Sequence, residues 1–346
     1  MGILSYTGGL GLIVLSVYIM VVGRDLIVPF LISVVIWYLI NTLADYYHKV
    51  KINNHALPKA ICFIAALLTM ITALYLLVDM IGNNIHNVKA AAPVYQENLL
   101  KLSERIYGLF GLENQPNLTQ LLGQINLRPF ISNIAGTMAG IAGNAGLILI
   151  YVLFIFLEQA SFKAKLDALL KGSKHSETVM EIISAVSIKI EKYVAIKTFV
   201  SMLTGVACYI VLILNNVDYA SFWAFIIFLL NYIPTVGSML AVLFPALLSL
   251  VQFPTFTPFL IIISSLGLIQ VLIGNILEPR LMGNSLNLSP LVVMLSLAIW
   301  GSIWGIAGMF LSVPFTVILM IIFSEFPKTK PIAIILSHDG KIGSIR

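Results

Sequence analysis

The chain has 346 residues, 59% of them hydrophobic and only 10% charged, with a formal net charge of +5. Soluble domains carry roughly 25% charged residues. A core this large could not be covered by so few, so a soluble protein is excluded. Long apolar runs without two-residue alternation exclude a β-barrel. The basic residues sit in short segments between apolar runs, which encodes membrane topology and leaves no nucleic-acid partner to expect.

The fold class is therefore all-α, a polytopic helical membrane protein. About 20 apolar residues cross a bilayer core, and candidate spans fall at 3–22, 26–44, 60–81, 134–157, 198–215, 222–251, 259–277 and 290–323. Only "GRD" separates the first two, so they form a tight hairpin. The first lacks a basic n-region and a small-residue cleavage site, and reads as a retained helix. Cys62 and Cys208 lie inside apolar runs, where no structural disulfide is expected.

Residues 82–133 carry Leu99, Leu102, Ile106 and Leu109 at helical spacing, which predicts a small extracytoplasmic helical insert. Residues 158–197 carry Val179, Ile182, Ile183, Val186, Ile190 and Val194, one face of an amphipathic helix leading into the next span. Lysines concentrate in 45–59, in 158–197 and in the tail 324–346, so all three are expected in the cytoplasm with both termini. The organisation reads as N-terminal transmembrane helices over 1–81, the insert at 82–133, a fourth span at 134–157 and a cytoplasmic amphipathic segment at 158–197. A core with broken helices at 198–323 and a cytoplasmic tail complete it.

Site chemistry is sparse. Five histidines are scattered without ligand spacing, so no metal or other cofactor is expected. No nucleophile elbow, no paired carboxylates within a span and no ATP-binding motif occur, which argues against an enzyme. The C-terminal half holds the polar signal. Span 222–251 contains "NYIPTVGS", with Asn231, Pro234 and Gly237. Span 290–323 opens at Pro290 and contains Gly301, Gly305, Gly308 and Pro314. A continuous helix over 222–251 would be ~45 Å long against a hydrocarbon core of ~30 Å. Each span therefore tilts as one long crossing or breaks at its Gly/Pro cluster into a re-entrant pair. Paired broken segments are a pointer to a transporter's site.

Between them, Gln270, Gly274 and Glu278 recur four residues apart on one helix face, with Asn275 one turn from Glu278. A carboxylate at the edge of hydrocarbon is a functional candidate. Its structural alternative is an anchor paired with Arg280. The chain then turns through Pro279, Gly283 and Ser289 before Pro290.

"NYIPTVGS", "NILEPRLMGNSLNLSPLVV" and "LAIWGSIWGIAGMFLSVPF" closely resemble the signature blocks of the autoinducer-2 exporter family. The resemblance is specific over 198–325 and fits the whole chain in segment order. It implies a transporter-like homo-oligomer of the bacterial cytoplasmic membrane, whose members are associated both with autoinducer-2 export and with sodium/proton exchange. The leading reading is a secondary transporter or exporter of a small solute, with the bilayer, its substrate and sister subunits as partners. A monovalent-cation (Na⁺)/proton antiporter is the alternative, and a non-transporting scaffold is the third. For an ion, Glu278 is the binding group and Arg280 its modulator. For a polyhydroxylated solute, Asn231, Gln270, Asn275 and Ser289 are the hydrogen-bonding set.

Overall fold

The computed structural model describes residues 3–49, 51–52, 55–76, 79, 97–98, 127–171, 176–253, 255–283 and 286–341. In chain order these form α1 (Ile3–Val22), α2 (Arg24–Lys49), α3 (Lys59–Leu76), α4 (Leu127–Leu170) and α5 (Ser176–Leu214). Then come α6 (Ala220–Leu230), α7 (Val236–Gln252), α8 (Thr257–Gln270), a π-helical segment (Val271–Leu277) and α9 (Glu278–Met282). The chain closes with α10 (Pro290–Trp304), α11 (Ile306–Glu325) and α12 (Lys330–Leu336). A two-residue antiparallel pairing joins Lys51–Ile52 to His55–Ala56. The stripe predicted in the insert at Leu99, Leu102, Ile106 and Leu109 lies outside the described residues.

Among the described residues, six helices are long and apolar enough to cross a bilayer. Their outward side chains are large and bare: Leu26, Leu68, Leu149, Phe154 and Leu260 are all exposed. Apolar surface of that extent calls for lipid, not water. The predicted amphipathic helix and the span after it are one continuous helix of 39 residues, α5.

The chain divides into two compact units. The first holds residues 1–66, 144–196 and 282–346. Its core gathers Val35, Ile190, Val194, Leu311, Val317 and Ile321. Within it α10 packs on α11, α11 on α12, and α1 on both α2 and α10. Trp37 Nε1 donates to Gln159 Oε1 at 2.9 Å, which ties α2 to α4. The second unit holds residues 67–143 and 197–281. Its core gathers Cys208, Leu212, Ile227, Ala246, Ile262 and Leu266. Cys62 and Cys208 are both buried free thiols.

Each of the two long C-terminal spans is a helical hairpin. In the second unit α6 and α7 pack together, and the turn between them runs through Asn231–Thr235. Gln252 closes the open end: the Asp218 N–H donates to its Oε1 at 2.8 Å, and its Nε2 donates to the Asn216 carbonyl at 2.8 Å. In the first unit α10 and α11 join at Gly305, whose φ of 62° is open to glycine. The Ser289 N–H donates to the Leu336 carbonyl at 3.0 Å, so the chain before α10 lies beside the chain after α11. With 11 residues in α6 and 15 in α10, these helices are ~16 and ~22 Å long and fall short of a ~30 Å core. Because the two helices of each span pack against each other, neither span is one continuous helix.

Glycine sets both hairpin tips. A Cβ on Gly237 would stand 1.8 Å from the Leu230 carbonyl oxygen, and one on Gly308 would stand 1.8 Å from the Trp300 carbonyl oxygen. Only a hydrogen fits where the second helix doubles back on the last turn of the first. The tip of the second hairpin also carries an indole anchor. Trp304 Nε1 donates to the Met20 carbonyl at 2.9 Å, while Trp300 stacks on Phe315 with centroids 4.7 Å apart.

Hairpins and the lysine bias together give a labelling prediction. In a background lacking both cysteines, Asp218→Cys should react with an impermeant thiol reagent on intact spheroplasts. Asn284→Cys should react only after permeabilisation. External labelling at Asn284 would overturn the assignment of sides.

Candidate functional site

The site forms along one face of α5 in the second unit. Lys197, Ser201 and Thr204 follow at three- and four-residue spacing and are buried, with relative exposures of 4%, 0% and 0%. A polar group in hydrocarbon costs several kcal/mol unless paired, and each of these finds a partner. The Lys197 ammonium donates to the Glu278 carboxylate across 81 residues of sequence. Thr198 Oγ1 and the Tyr232 hydroxyl share a hydrogen bond of 2.6 Å. Asn231 Nδ2 donates to Ser201 Oγ at 3.1 Å, and the Thr204 hydroxyl donates to the Val200 carbonyl at 2.9 Å. One helix face thus holds both the tip of the α6–α7 hairpin and the acid at the end of the π segment. Gly205 lets α5 and α6 approach: its Cβ would meet the Ala224 carbonyl oxygen at 3.1 Å.

Proline explains how Glu278 is presented. The Glu278 N–H bonds to the Ile273 carbonyl, five residues back, which is the π register. Pro279 brings no N–H, so the ladder cannot continue, and α9 starts a new turn. Such wide turns are rare and recur at functional sites. Gln270 is the last residue of α8 and is 8% exposed. Neither its amide nitrogen nor its amide oxygen has a protein partner among the described residues. Gly274 leaves room beside it, for a Cβ there would stand 3.5 Å from Gln270 Oε1.

The expected residues divide accordingly. Asn231, Gln270 and Glu278 are in the second unit, the first two buried and Glu278 half-buried against Lys197. Asn275 and Arg280 are exposed, and the partner of Glu278 is Lys197 rather than Arg280. Ser289 belongs to the first unit, where its N–H is engaged by Leu336. Pro234 and Gly237 shape the first hairpin tip. Pro279 ends the π segment, Gly283 takes a φ of 50°, and Pro290 opens α10. Gly301, Gly305 and Gly308 shape the second hairpin, and Pro314 is buried within α11. Gly301 admits the Met309 side chain, which a Cβ would meet at 3.0 Å.

Sequence reasoning missed Lys197, Thr198, Ser201 and Tyr232. The signal was present as a Lys, a Ser and a Thr at helical spacing on the threshold of an apolar run. Lys197 is also the last lysine of the segment 158–197, where it reads as a topology signal. Among the described residues, no three His, Cys, Asp or Glu side chains gather as a metal site would require.

The family model of AI-2E transporters matches residues 10–328. The chain is similar to the AI-2 transport protein TqsA of Escherichia coli K12, 28% identical over 336 residues, with 96% of this chain and 95% of that protein covered. It is also similar to proteins named "Putative transport protein" in Haemophilus influenzae and Borreliella burgdorferi. These are 31% identical over 324 residues and 31% over 258, covering 91% and 73% of this chain and 90% and 70% of theirs. Both hairpins, the π segment and the polar face of α5 fall inside the span that the family model matches, and the chain belongs to the AI-2E transporter family.

Proposed function

We propose that this protein is a secondary transporter that exports a small polar solute across the bacterial cytoplasmic membrane, with the solute named for TqsA as the first candidate. The observation that carries this reading is the buried polar face of α5 with its partners, set where the helix enters its apolar run. Hydroxyls at Thr198, Ser201 and Tyr232 and amides at Asn231 and Gln270 both donate and accept. That chemistry suits a neutral, hydroxyl-bearing cargo. The protein works as a multi-pass homo-oligomer with both termini in the cytoplasm.

The Lys197–Glu278 pair favours a second reading, a monovalent-cation/proton antiporter. A carboxylate and an ammonium paired within membrane-spanning helices form a group that an ion or a proton can open. A scaffold needs no such pair. Purified protein in liposomes, under imposed Na⁺ and pH gradients, separates these readings. Solute flux that falls about tenfold in Gln270→Leu, a loss of ~1.4 kcal/mol in binding terms, supports the export reading. Cation/proton exchange without solute favours the second. No flux of either kind defeats both.

A further inference from the structure

The chain after α11 folds back on the chain before α10. Beyond Glu325 it turns, forms α12 against α11, and then extends over Ser337–Lys341. There it pairs with residues 287–289. Leu288 and Ser337 form an antiparallel bridge. The Ser289 N–H donates to the Leu336 carbonyl at 3.0 Å, the His338 N–H donates to the Asn287 carbonyl at 3.0 Å, and Asn287 Nδ2 donates to the Lys341 carbonyl at 2.8 Å. The tail has its own turn: the Gly340 N–H donates to Ser337 Oγ at 3.0 Å, and the Lys341 N–H donates to Asp339 Oδ1 at 3.0 Å.

This pairing joins the chain entering α10 to the chain leaving α12, which itself packs on α11. It is a single bridge without a sheet behind it. Three hydrogen bonds hold it, and His338, Asp339, Gly340 and Lys341 are all exposed. The linker it grips has positive φ at Gly283 (50°) and Asn287 (46°), backbone states typical of turns. The one deeply seated side chain is Ser337, at 6% exposure.

We propose that residues 337–341 are a releasable strap across the open end of the α10–α11 hairpin, and that the strap must open for the hairpin to move in each transport cycle. The strap itself stands on geometry, while its effect on flux rests on the transport reading above. The hydrogen bonds flank the Leu288–Ser337 pair rather than join it, which makes it a non-hydrogen-bonded pair with Cα atoms about 4.5 Å apart. That is within reach of a disulfide.

The test is Leu288→Cys/Ser337→Cys in a background lacking Cys62 and Cys208, reconstituted in liposomes. Oxidation should cut flux at least tenfold, and a reductant should restore it. Equal flux in the oxidised and reduced states overturns the proposal. A chain ending at Leu336 provides the second variant. If it melts as the full chain does, its flux should rise severalfold, and unchanged flux overturns the gating role. Labelling of the single variant Ser337→Cys by a hydrophilic maleimide needs no transport. Strap opening predicts slow labelling that stops depending on reagent concentration once opening limits it. No labelling over hours means the strap does not open, whatever the cargo. If labelling shows opening but the cysteine-free parent, with Leu288 and Ser337 intact, carries no flux, the transport reading has failed and the strap has not.

Discussion

Alanine at Gly237 should destabilise the protein by about 3 kcal/mol or more, and alanine at Gly308 should do the same. In both cases the added Cβ meets a main-chain carbonyl oxygen at 1.8 Å. A flexible side chain could step aside from such a contact, but the last turn of a helix cannot without breaking its own hydrogen bonds. Gly267 is the control. It sits in α8 with nothing within 4 Å of its would-be Cβ, so Gly267→Ala should be neutral or stabilising by up to ~1 kcal/mol. Thermal unfolding of the three variants in detergent, with flux in liposomes, reads the difference. If Gly237→Ala melts with the wild type, the tight doubling-back at the tip is wrong.

The ion pair gives the other large effect. Removing one member leaves the other charge buried and alone, which costs about 3–5 kcal/mol. Lys197→Met and Glu278→Leu should each show a loss of that order, tempered at Glu278 by its 18% side-chain exposure. The double variant should recover most of the stability, because an apolar pair of similar volume replaces charge with packing. It should not recover transport. Full transport in the double variant would make the pair a structural joint only. A recovered melting temperature without flux would separate its role in function from its role in folding.

Much of this could be read from the sequence, for reasons that differ by element. Hydropathy located the spans because twenty apolar residues in a row have few other uses. The two hairpins were legible from local chemistry: Pro234 and Gly237, and then Gly305 and Gly308, sit where the chain reverses. The partner of Glu278 was not legible. Arg280 is near in sequence, but on this backbone it is exposed, while Lys197 is 81 residues away. Pairing over that distance is set by which helix faces meet, and a single sequence does not record that. The π register was hidden as well, since Pro279 announces a break but not the wider turn before it. α4 and α5 proved longer than their apolar runs because hydropathy ends where lipid ends, whereas a helix continues as long as its residues favour it.

The indole of Trp304 has a consequence for how the molecule is made. It donates to the carbonyl of Met20, 284 residues earlier. At a synthesis rate of about 5–20 residues per second, roughly 15–60 s separate the two partners at the ribosome. Helix α1 is thus inserted long before the hairpin that packs on it exists, and a late-translated piece docks against an early one. A ribosome stalled before Trp304 would leave a nascent chain whose first helix is in place but unfinished. In the cell, quality control should therefore recognise truncated chains through an uncovered α1, and an N-terminal fusion that restrains α1 should slow maturation rather than insertion.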